Sequence, residues 1–185
     1  VAIEVKHGKL EKIKELSNKL AYYWLLNNEE KATKEEIKLY NDINTAAVGY
    51  YATHFENKNL FFLFQAISLK AGAGLIINGK LIEGFCNLAG EVSYLPLELS
   101  KKQEELSKTP EGTLEIVSKI ILTTMYLVAP EVIVIFSELL PDFKVLEEKI
   151  KELMPQHQIP KLIKVNNVIE YMLIGQMYLC LKEVD

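Results

Sequence analysis

The sequence predicts one α/β domain built around a mixed sheet, and three observations lead to this fold class. Apolar or glycine-rich stretches at 60–69, 73–77 and 80–83 predict three consecutive antiparallel strands, with Asn78-Gly79 as the turn between the last two. The β-branched run at 132–135 lacks alternation, which is typical of a parallel strand covered on both faces. Helical patterns flank these strands. A chain of 185 residues, 49% apolar and 25% charged, is long enough for one such core.

Before the sheet, the periodicity of apolar residues predicts a strand at 1–5, a helix at 9–27 and a short charged helix at 34–40. Another helix is expected to run through 45–55, ahead of the first strand of the meander. The meander itself begins with the most apolar run of this part of the chain, which predicts a buried central strand.

After the hairpin, the sequence predicts a charged helical segment at 100–108 and a break at Thr109-Pro110-Glu111-Gly112. Thr113 is expected to cap a helix over 113–128. The apolar residues of that helix exceed one stripe, so we expect it to be buried on two sides, against a sheet or a partner chain.

The last third of the chain continues the alternation of strands and helices. A helix is expected from Asp142 to about Met154, a short strand at 161–165 and a mostly apolar helix at 168–182, in which Gly175 allows close packing. The predicted order is therefore β–α, a β-meander and then α–β–α–β–α.

Composition excludes several classes of function. The net charge is −4 and no basic patch is visible, which argues against a grip on a nucleic-acid backbone. No apolar run reaches the roughly 20 residues of a membrane helix. Cys86 and Cys180 are too few for a zinc site and do not suggest a disulfide framework, so a reducing cytoplasm is expected. Because the chain begins at Val1 without a signal peptide or an initiator Met, we expect it to be part of a longer protein.

Two stretches carry candidate functional residues. Gly72 and Gly74 lie where backbone can approach a ligand or a strand closely, and the loop with Gly90 and Glu91 should return a carboxylate to this glycine-rich edge. Bulges and turns use glycine as well, so a structural explanation stays open. In Asn41-Asp42-Ile43-Asn44, a helix cap and a ligand-binding acid are both open interpretations, although three polar residues exceed what one cap requires.

The order of these motifs resembles that of the ROK family (repressors, open reading frames, sugar kinases). The resemblance rests on Asn41-Asp42-Ile43-Asn44, on the stretch GAGLIINGKL at 72–81 and on Gly90-Glu91-Val92-Ser93-Tyr94. It implies the C-terminal half of an actin/hexokinase-like (ribonuclease H-like) ATPase fold. Residues 1–185 would form the ROK-type C-terminal sugar-binding and dimerisation domain, with 1–40 as the lead-in from a missing N-terminal half.

The resemblance also implies roles for single residues. Asp42 would match the catalytic base that takes a proton from a sugar hydroxyl in the kinases. Asn41, Asp42 and Glu91 would hydrogen-bond sugar hydroxyls. Gly72 and Gly74 would lie where backbone approaches nucleotide phosphates or strand neighbours.

The sequence departs from the family pattern on the ATP and zinc side. Tyr94 stands where the family has a zinc-ligating His, and the family's cysteine-rich zinc motif is missing. Leu69-Lys70-Ala71-Gly72 replaces Thr-Gly-x-Gly, Phe136-Ser137 replaces Gly-Gly, and the Asp-x-Gly-x-Thr phosphate loop is absent from this chain. The resemblance therefore implies no metal and no ATP as cofactor.

Three functions remain open at this stage. The first is a catalytically inactive sugar-sensing and dimerisation domain of a NagC/XylR-type transcriptional regulator, a homodimer that binds a sugar or sugar phosphate. Such a protein would reach DNA only through a helix-turn-helix upstream of Val1. The alternative is half of an ATP-dependent, glucokinase-like sugar kinase with Asp42 as base. The third is a degenerate domain kept for protein–protein contact.

Overall fold

The sheet organises the molecule, and its mixed topology confirms the predicted α/β class. The computed structural model describes residues 41–155 and 158–182. Within them, five strands lie in the order β3-β2-β1-β4-β5. The antiparallel pairs are β1·β2 and β2·β3, and the parallel pairs are β1·β4 and β4·β5. The strands are β1 (Leu60–Gln65), β2 (Gly72–Ile77), β3 (Lys80–Leu81), β4 (Val132–Ser137) and β5 (Lys161–Val165).

Helices alternate with these strands much as the sequence predicts. They are α1 (Asp42–Thr53), α2 (Gln103–Leu106), α3 (Pro110–Leu127), α4 (Phe143–Lys151) and α5 (Val168–Lys182). Two short 3-10 turns, Phe85–Asn87 and Val92–Tyr94, lie in the loop after β3. The strand predicted at 1–5 and the helices predicted at 9–27 and 34–40 lie outside the described residues. None of the described helices is long and apolar enough to cross a membrane.

Apolar residues fill both faces of the sheet, because successive side chains of a strand point to opposite sides. On one face, Phe61 and Leu63 of β1 pack in a cluster with α3 and α4. On the other face, Leu60 and Phe62 pack in a cluster with α1 and α5. Every residue of β4 from 132 to 135 is completely buried, as its β-branched run predicts.

Helices α1 and α5 cross at two glycines. A Cβ on Gly175 would overlap the carbonyl oxygen of Thr45, and a Cβ on Gly49 would overlap that of Tyr171. The two backbones therefore touch without a side chain between them. The role predicted for Gly175 in close packing is confirmed, and this contact fixes α1 on the sheet.

Strand β1 ends at Gln65, four residues earlier than predicted. The Gln65 side chain donates from Nε2 to the carbonyl oxygens of Ala66 and Leu69, at 2.9 and 2.8 Å. Ser68 has a positive φ of 59°. The chain therefore turns over 66–69, although the apolar composition there favoured a longer strand.

The predicted start of α3 was also wrong. Thr109 caps the helix, since its Oγ1 accepts a hydrogen bond from the Gly112 N–H at 3.1 Å, and Pro110 occupies the first turn. Proline suits this position because the N–H it lacks would be unpaired there. Thr113 lies inside the helix and is buried.

The segment before α3 is less helical than predicted. Only 103–106 form a helix, because Ser100 is bound elsewhere: its N–H and hydroxyl donate to the two carboxylate oxygens of Glu115 at 2.7 and 2.6 Å. These bonds lower the pKa of Glu115. Helix α3 contacts both α2 and α4 as well as β1, which agrees with burial on more than one side.

We expect Gly175→Ala to destabilise the fold even though alanine has the higher helix propensity by about 1 kcal/mol. The added methyl group would overlap the carbonyl oxygen of Thr45, so α1 and α5 must separate. A net loss of roughly 1–3 kcal/mol in the free energy of unfolding should appear in urea denaturation. Met177→Ala, at a position 67% exposed on the same helix, is the control and should change little. An unchanged or higher stability of Gly175→Ala would contradict the close crossing.

Tyr50 leads to a prediction on alkaline stability. Burial raises the pKa of its hydroxyl from 10.0 to about 12, and Tyr171 and Glu56 add to the shift. Since the unfolded chain ionises at the lower pH, the free energy of unfolding should fall as the pH rises from about 10 to about 12. Tyr50→Phe should reduce this loss in denaturation curves recorded across that range. The same dependence in both proteins would show that Tyr50 is not its source.

Candidate functional site

The first turn of α1 lies across the start of β2. A Cβ on Gly74 would be 2.6 Å from the Cβ of Ala47 and 2.8 Å from the carbonyl oxygen of Ile43. A Cβ on Gly72 would be 3.1 Å from Cδ1 of Ile43. Both glycines are thus accounted for by the approach of the helix, and their proposed position beside a nucleotide stays a prediction.

The loop that carries Glu91 meets the same part of β2 from its outer edge. Strand β3 pairs only with Ile76 and Ile77, which leaves the first half of that edge without a neighbouring strand. There the Ala73 N–H donates to the carbonyl oxygen of Gly90 at 2.8 Å. The start of α1 and the turn at 90–91 therefore converge on residues 72–74. We call this place the β2 corner, formed by residues 41–44, 72–74 and 90–94.

Asn41 is the cap of α1. Its Oδ1 accepts hydrogen bonds from the N–H groups of Ile43 and Asn44, at 2.9 and 3.3 Å. Asp42 is the first helical residue, and one of its carboxylate oxygens accepts from the Ile43 N–H at 2.9 Å. Both side chains are exposed. Because Asn41 provides the cap, the carboxylate of Asp42 is not needed for it.

Glu91 stands directly before the 3-10 turn 92–94 and is half-buried. Its main chain is fixed, since its N–H donates to Leu88 O at 3.3 Å and its carbonyl accepts from Tyr94 N–H at 3.1 Å. No residue in the described ranges donates to its carboxylate. The β2 corner thus has two carboxylates, one from α1 and one from the loop, whose remaining acceptor positions no residue of 41–155 or 158–182 fills.

Asn44 is a residue whose importance sequence reasoning missed. It is only 5% exposed, and its Oδ1 is buried without a donor from the described part of the chain. A buried acceptor without a partner costs about 1–3 kcal/mol. The sequence did contain a signal: Asn44 is the third polar residue of the Asn-Asp-x-Asn motif, and a helix cap does not require a third polar residue.

On the other side of β2, the turn at 66–71 is held by the protein's own side chains. The Ile67 N–H donates to Oε2 of Glu138 at 2.9 Å, while Gln65 binds two carbonyl oxygens of the turn. The ring of Phe136 stacks on Phe64, with 5.2 Å between their centroids. A nucleotide phosphate that sought the Ile67 N–H would have to displace the carboxylate of Glu138.

Lys70 connects this turn to the β2 corner. Its Nζ lies 5.7 Å from the centroid of the Tyr94 ring and 3.7 Å from Oε1 of Glu104. Tyr94, which the resemblance matches to a zinc-ligating His, is 73% exposed. In the described ranges, no cluster of three His, Cys, Asp or Glu side chains could hold a metal ion, and Cys86 is an exposed free thiol.

Comparisons with known proteins bear on the family and the fold of the chain. The model of the ROK family matches residues 3–112, more than half of the chain. A ROK family protein from Streptococcus pneumoniae, solved in complex with sucrose, superposes with a TM-score of 0.60 at 17% identity over 77% of this chain and 66% of its own. The ROK hexokinase from Thermus thermophilus gives 0.62 at 17% identity, over 78% and 66%. The Lmo2764 protein of Listeria monocytogenes, a putative N-acetylmannosamine kinase, gives 0.63 at 16% identity, over 78% and 65%.

These similarities confirm the predicted actin-like ATPase fold. At such low identity they establish the fold alone. The chain spans slightly less than two thirds of the length of each of these three structures. Comparison with curated proteins gives no significant match.

The hydrogen bonds of α1 predict different stability costs for its first two residues. Asn41→Ala should lower the free energy of unfolding by about 1 kcal/mol, because the Asn44 N–H loses its acceptor and the Ile43 N–H keeps only its bond to Asp42. Asp42→Ala should cost roughly 0.5 kcal/mol, since only one local bond and a favourable charge at the helix N-terminus are lost. Urea denaturation of both variants measures the difference. A larger loss for Asp42→Ala would make Asp42 the cap.

Proposed function

The chain belongs to the ROK family, and on that premise we propose that it is the sugar-sensing effector and dimerisation domain of a NagC/XylR-like transcriptional regulator. The domain binds a sugar or sugar phosphate at the β2 corner and does not phosphorylate it. A DNA-binding helix-turn-helix would belong to a part of the protein outside this sequence. Dimerisation and a cytoplasmic location are parts of the same proposal.

The observation that carries the sugar site is that two acid-bearing segments, the first turn of α1 with Asp42 and the turn at 90–91 with Glu91, converge on β2 residues 72–74. Asp42 and Glu91 come from separate elements that both touch this strand, through Gly74 and Ala73. Carboxylates are strong acceptors for hydroxyl groups, and a site built to satisfy hydroxyls rejects ligands that lack them. Asn41 adds an exposed amide whose Oδ1 is already used by the helix.

The loss of kinase activity is supported by the contacts on the opposite side of β2. Glu138 takes a backbone donor of the 66–71 turn, and a carboxylate there repels phosphate oxygens. Phe136 and Ser137 stand where the family has two glycines. The residues present thus do not suit a nucleotide or the family's zinc, and no cofactor is included in the proposal.

A kinase is the second candidate, and the free carboxylate of Asp42 favours it. Because Asn41 caps α1, the structural contribution of the Asp42 carboxylate is small: one bond from the Ile43 N–H and a favourable charge at the helix N-terminus. A carboxylate that accepts a proton from a sugar hydroxyl is what phosphoryl transfer to a sugar needs. Two of the similar structures are named as a hexokinase and a putative kinase.

Sugar titration of the full-length protein tests the proposal. Calorimetric titration with glucose, mannose, N-acetylglucosamine, N-acetylmannosamine and their 6-phosphates should reveal at least one ligand. Asp42→Ala and Glu91→Gln should each weaken its binding by about tenfold or more while stability is nearly kept. Asp142→Ala is the matched control: it removes the cap of α4, so it should cost about 1 kcal/mol of stability and leave affinity unchanged.

The outcomes separate the three functions. A sugar ligand without ATP turnover supports the sensor. ATP-dependent formation of a sugar phosphate that is lost in Asp42→Ala would overturn it in favour of the kinase. Binding of none of these sugars would contradict both and leave a domain for protein–protein contact.

A further inference from the structure

Two polar side chains stand next to each other where β1 and β4 end. Gln65 is the last residue of β1 and Ser137 the last of β4, and the two are partners in the register of this parallel pair. Paired residues of neighbouring strands point to the same face, with the strands about 4.8 Å apart. That face is the one covered by α3 and α4, because Leu63 and Ile135, two residues earlier in each strand, pack there. Both side chains are buried, with exposures of 1% for Gln65 and 6% for Ser137.

Each of these side chains has a buried oxygen atom to which no residue of 41–155 or 158–182 bonds. The two atoms are Oε1 of Gln65 and Oγ of Ser137. A buried polar group without a partner costs free energy, and nearly all such groups in folded proteins are paired with protein or with water. Two of them at paired positions on one face of the sheet therefore indicate a common partner.

The Gln65 amide is not free to turn toward Ser137. Both of its N–H bonds are used, since Nε2 donates to the carbonyl oxygens of Ala66 and Leu69. An amide rotated by half a turn would place Oε1 against these two carbonyl oxygens, so the hydrogen bonds decide which atom is nitrogen and which is oxygen. Oε1 is thus held in one orientation, in which it makes no direct bond with the Ser137 hydroxyl.

We propose that Gln65 Oε1 and Ser137 Oγ together bind one buried water molecule, which ties the 66–71 turn to the end of β4. Water donates to Oε1 and either donates to the hydroxyl or accepts from it, so both atoms are satisfied. Such a bridge is nearly as favourable as a direct hydrogen bond. Because the resemblance matches Ser137 to a glycine, the hydroxyl belongs to this chain and not to the family pattern. The inference does not rest on the proposed sugar site.

The water acts together with Glu138, the residue that directly follows Ser137. The Glu138 carboxylate accepts from the Ile67 N–H at 2.9 Å, on the exposed side of the turn. Consecutive residues at the end of β4 thus hold the turn after β1 at two points, one buried and one exposed. The water site therefore keeps the 66–71 turn in the conformation in which Glu138 occupies its backbone donor.

A crystal structure of the full-length protein tests the site directly. At a resolution of about 2 Å or better, one water should lie within hydrogen-bond distance, about 2.7–3.2 Å, of both Gln65 Oε1 and Ser137 Oγ. A direct bond between the two side chains would overturn the proposal, and so would density that shows no water in contact with both.

Ser137→Ala tests the site in solution. The water loses one of its two side-chain partners, so the melting temperature should fall by about 2–5 °C. Amide hydrogen exchange of residues 66–71 should become faster by roughly fivefold or more. Ser118→Ala is the matched control, because Ser118 is also a buried serine, at 1% exposure, but its hydroxyl donates within α3 to the Glu115 carbonyl at 3.1 Å. It should leave the exchange of 66–71 unchanged.

A double-mutant cycle shows whether Gln65 is the other partner. In a Gln65→Met background Oε1 is gone, so the loss caused by Ser137→Ala should vanish. An equal loss in both backgrounds would mean that Ser137 acts without Gln65, and the proposal would be wrong. An unchanged or higher melting temperature of Ser137→Ala would show that the hydroxyl has no partner, which also contradicts it. If Gln65→Met does not fold, the crystal structure and Ser137→Ala decide.

Discussion

The close approach of α1 to β2 is the contact on which the candidate site depends. Gly74 leaves room for Ala47 and for the backbone of Ile43, so the first turn of the helix lies directly over the strand. The glycine crossing with α5 holds the same helix from its other side. A side chain at Gly74 would lift α1 from the sheet, and one at the glycine crossing would push α1 and α5 apart. The small residues here therefore serve the fold, and through it they position the first turn of α1 over β2.

Carboxylates take three different roles around the sheet, and their surroundings decide which. Glu131 and Glu138 accept from the Asn59 and Ile67 N–H groups, both at 2.9 Å, and so tie the two ends of the β1–β4 pair together. Glu115 is fixed by Ser100. Asp42 and Glu91, by contrast, keep acceptor positions that no described residue fills. Glu131, Glu138 and Glu115 link distant parts of the chain and so explain the fold, whereas Asp42 accepts only from its neighbour Ile43 and no described residue donates to the Glu91 carboxylate.

Sequence was sufficient for the features that local chemistry determines. Three features follow from the conformational preference of one residue type or from the pattern of apolar residues. They are the Asn78-Gly79 hairpin, the buried strand β4 and the packing role of Gly175. The errors arose where a side-chain hydrogen bond decides. Gln65 ends β1 through local bonds to the carbonyl oxygens of Ala66 and Leu69, which the apolar composition of 60–69 does not reveal. Ser100 binds Glu115, 15 residues further along the chain, instead of joining a helix. Thr109-Pro110 contains both turn and helix-start chemistry, and only the burial of α3 selects between them. Asn44 and the Lys70–Tyr94 contact were equally invisible, because each depends on elements brought together by the fold.

The two sides of β2 make sensing a consistent interpretation of the same fold. On one side, the residues that would meet a sugar stand on the capped first turn of α1 and on a loop whose main chain is hydrogen-bonded at Glu91. On the other side, the turn that would meet a nucleotide has its donor occupied by Glu138 and its carbonyls by Gln65. A kinase must bind both substrates at once, and binding energy spent on displacing Glu138 would be lost to phosphoryl transfer. A sensor needs only the first side.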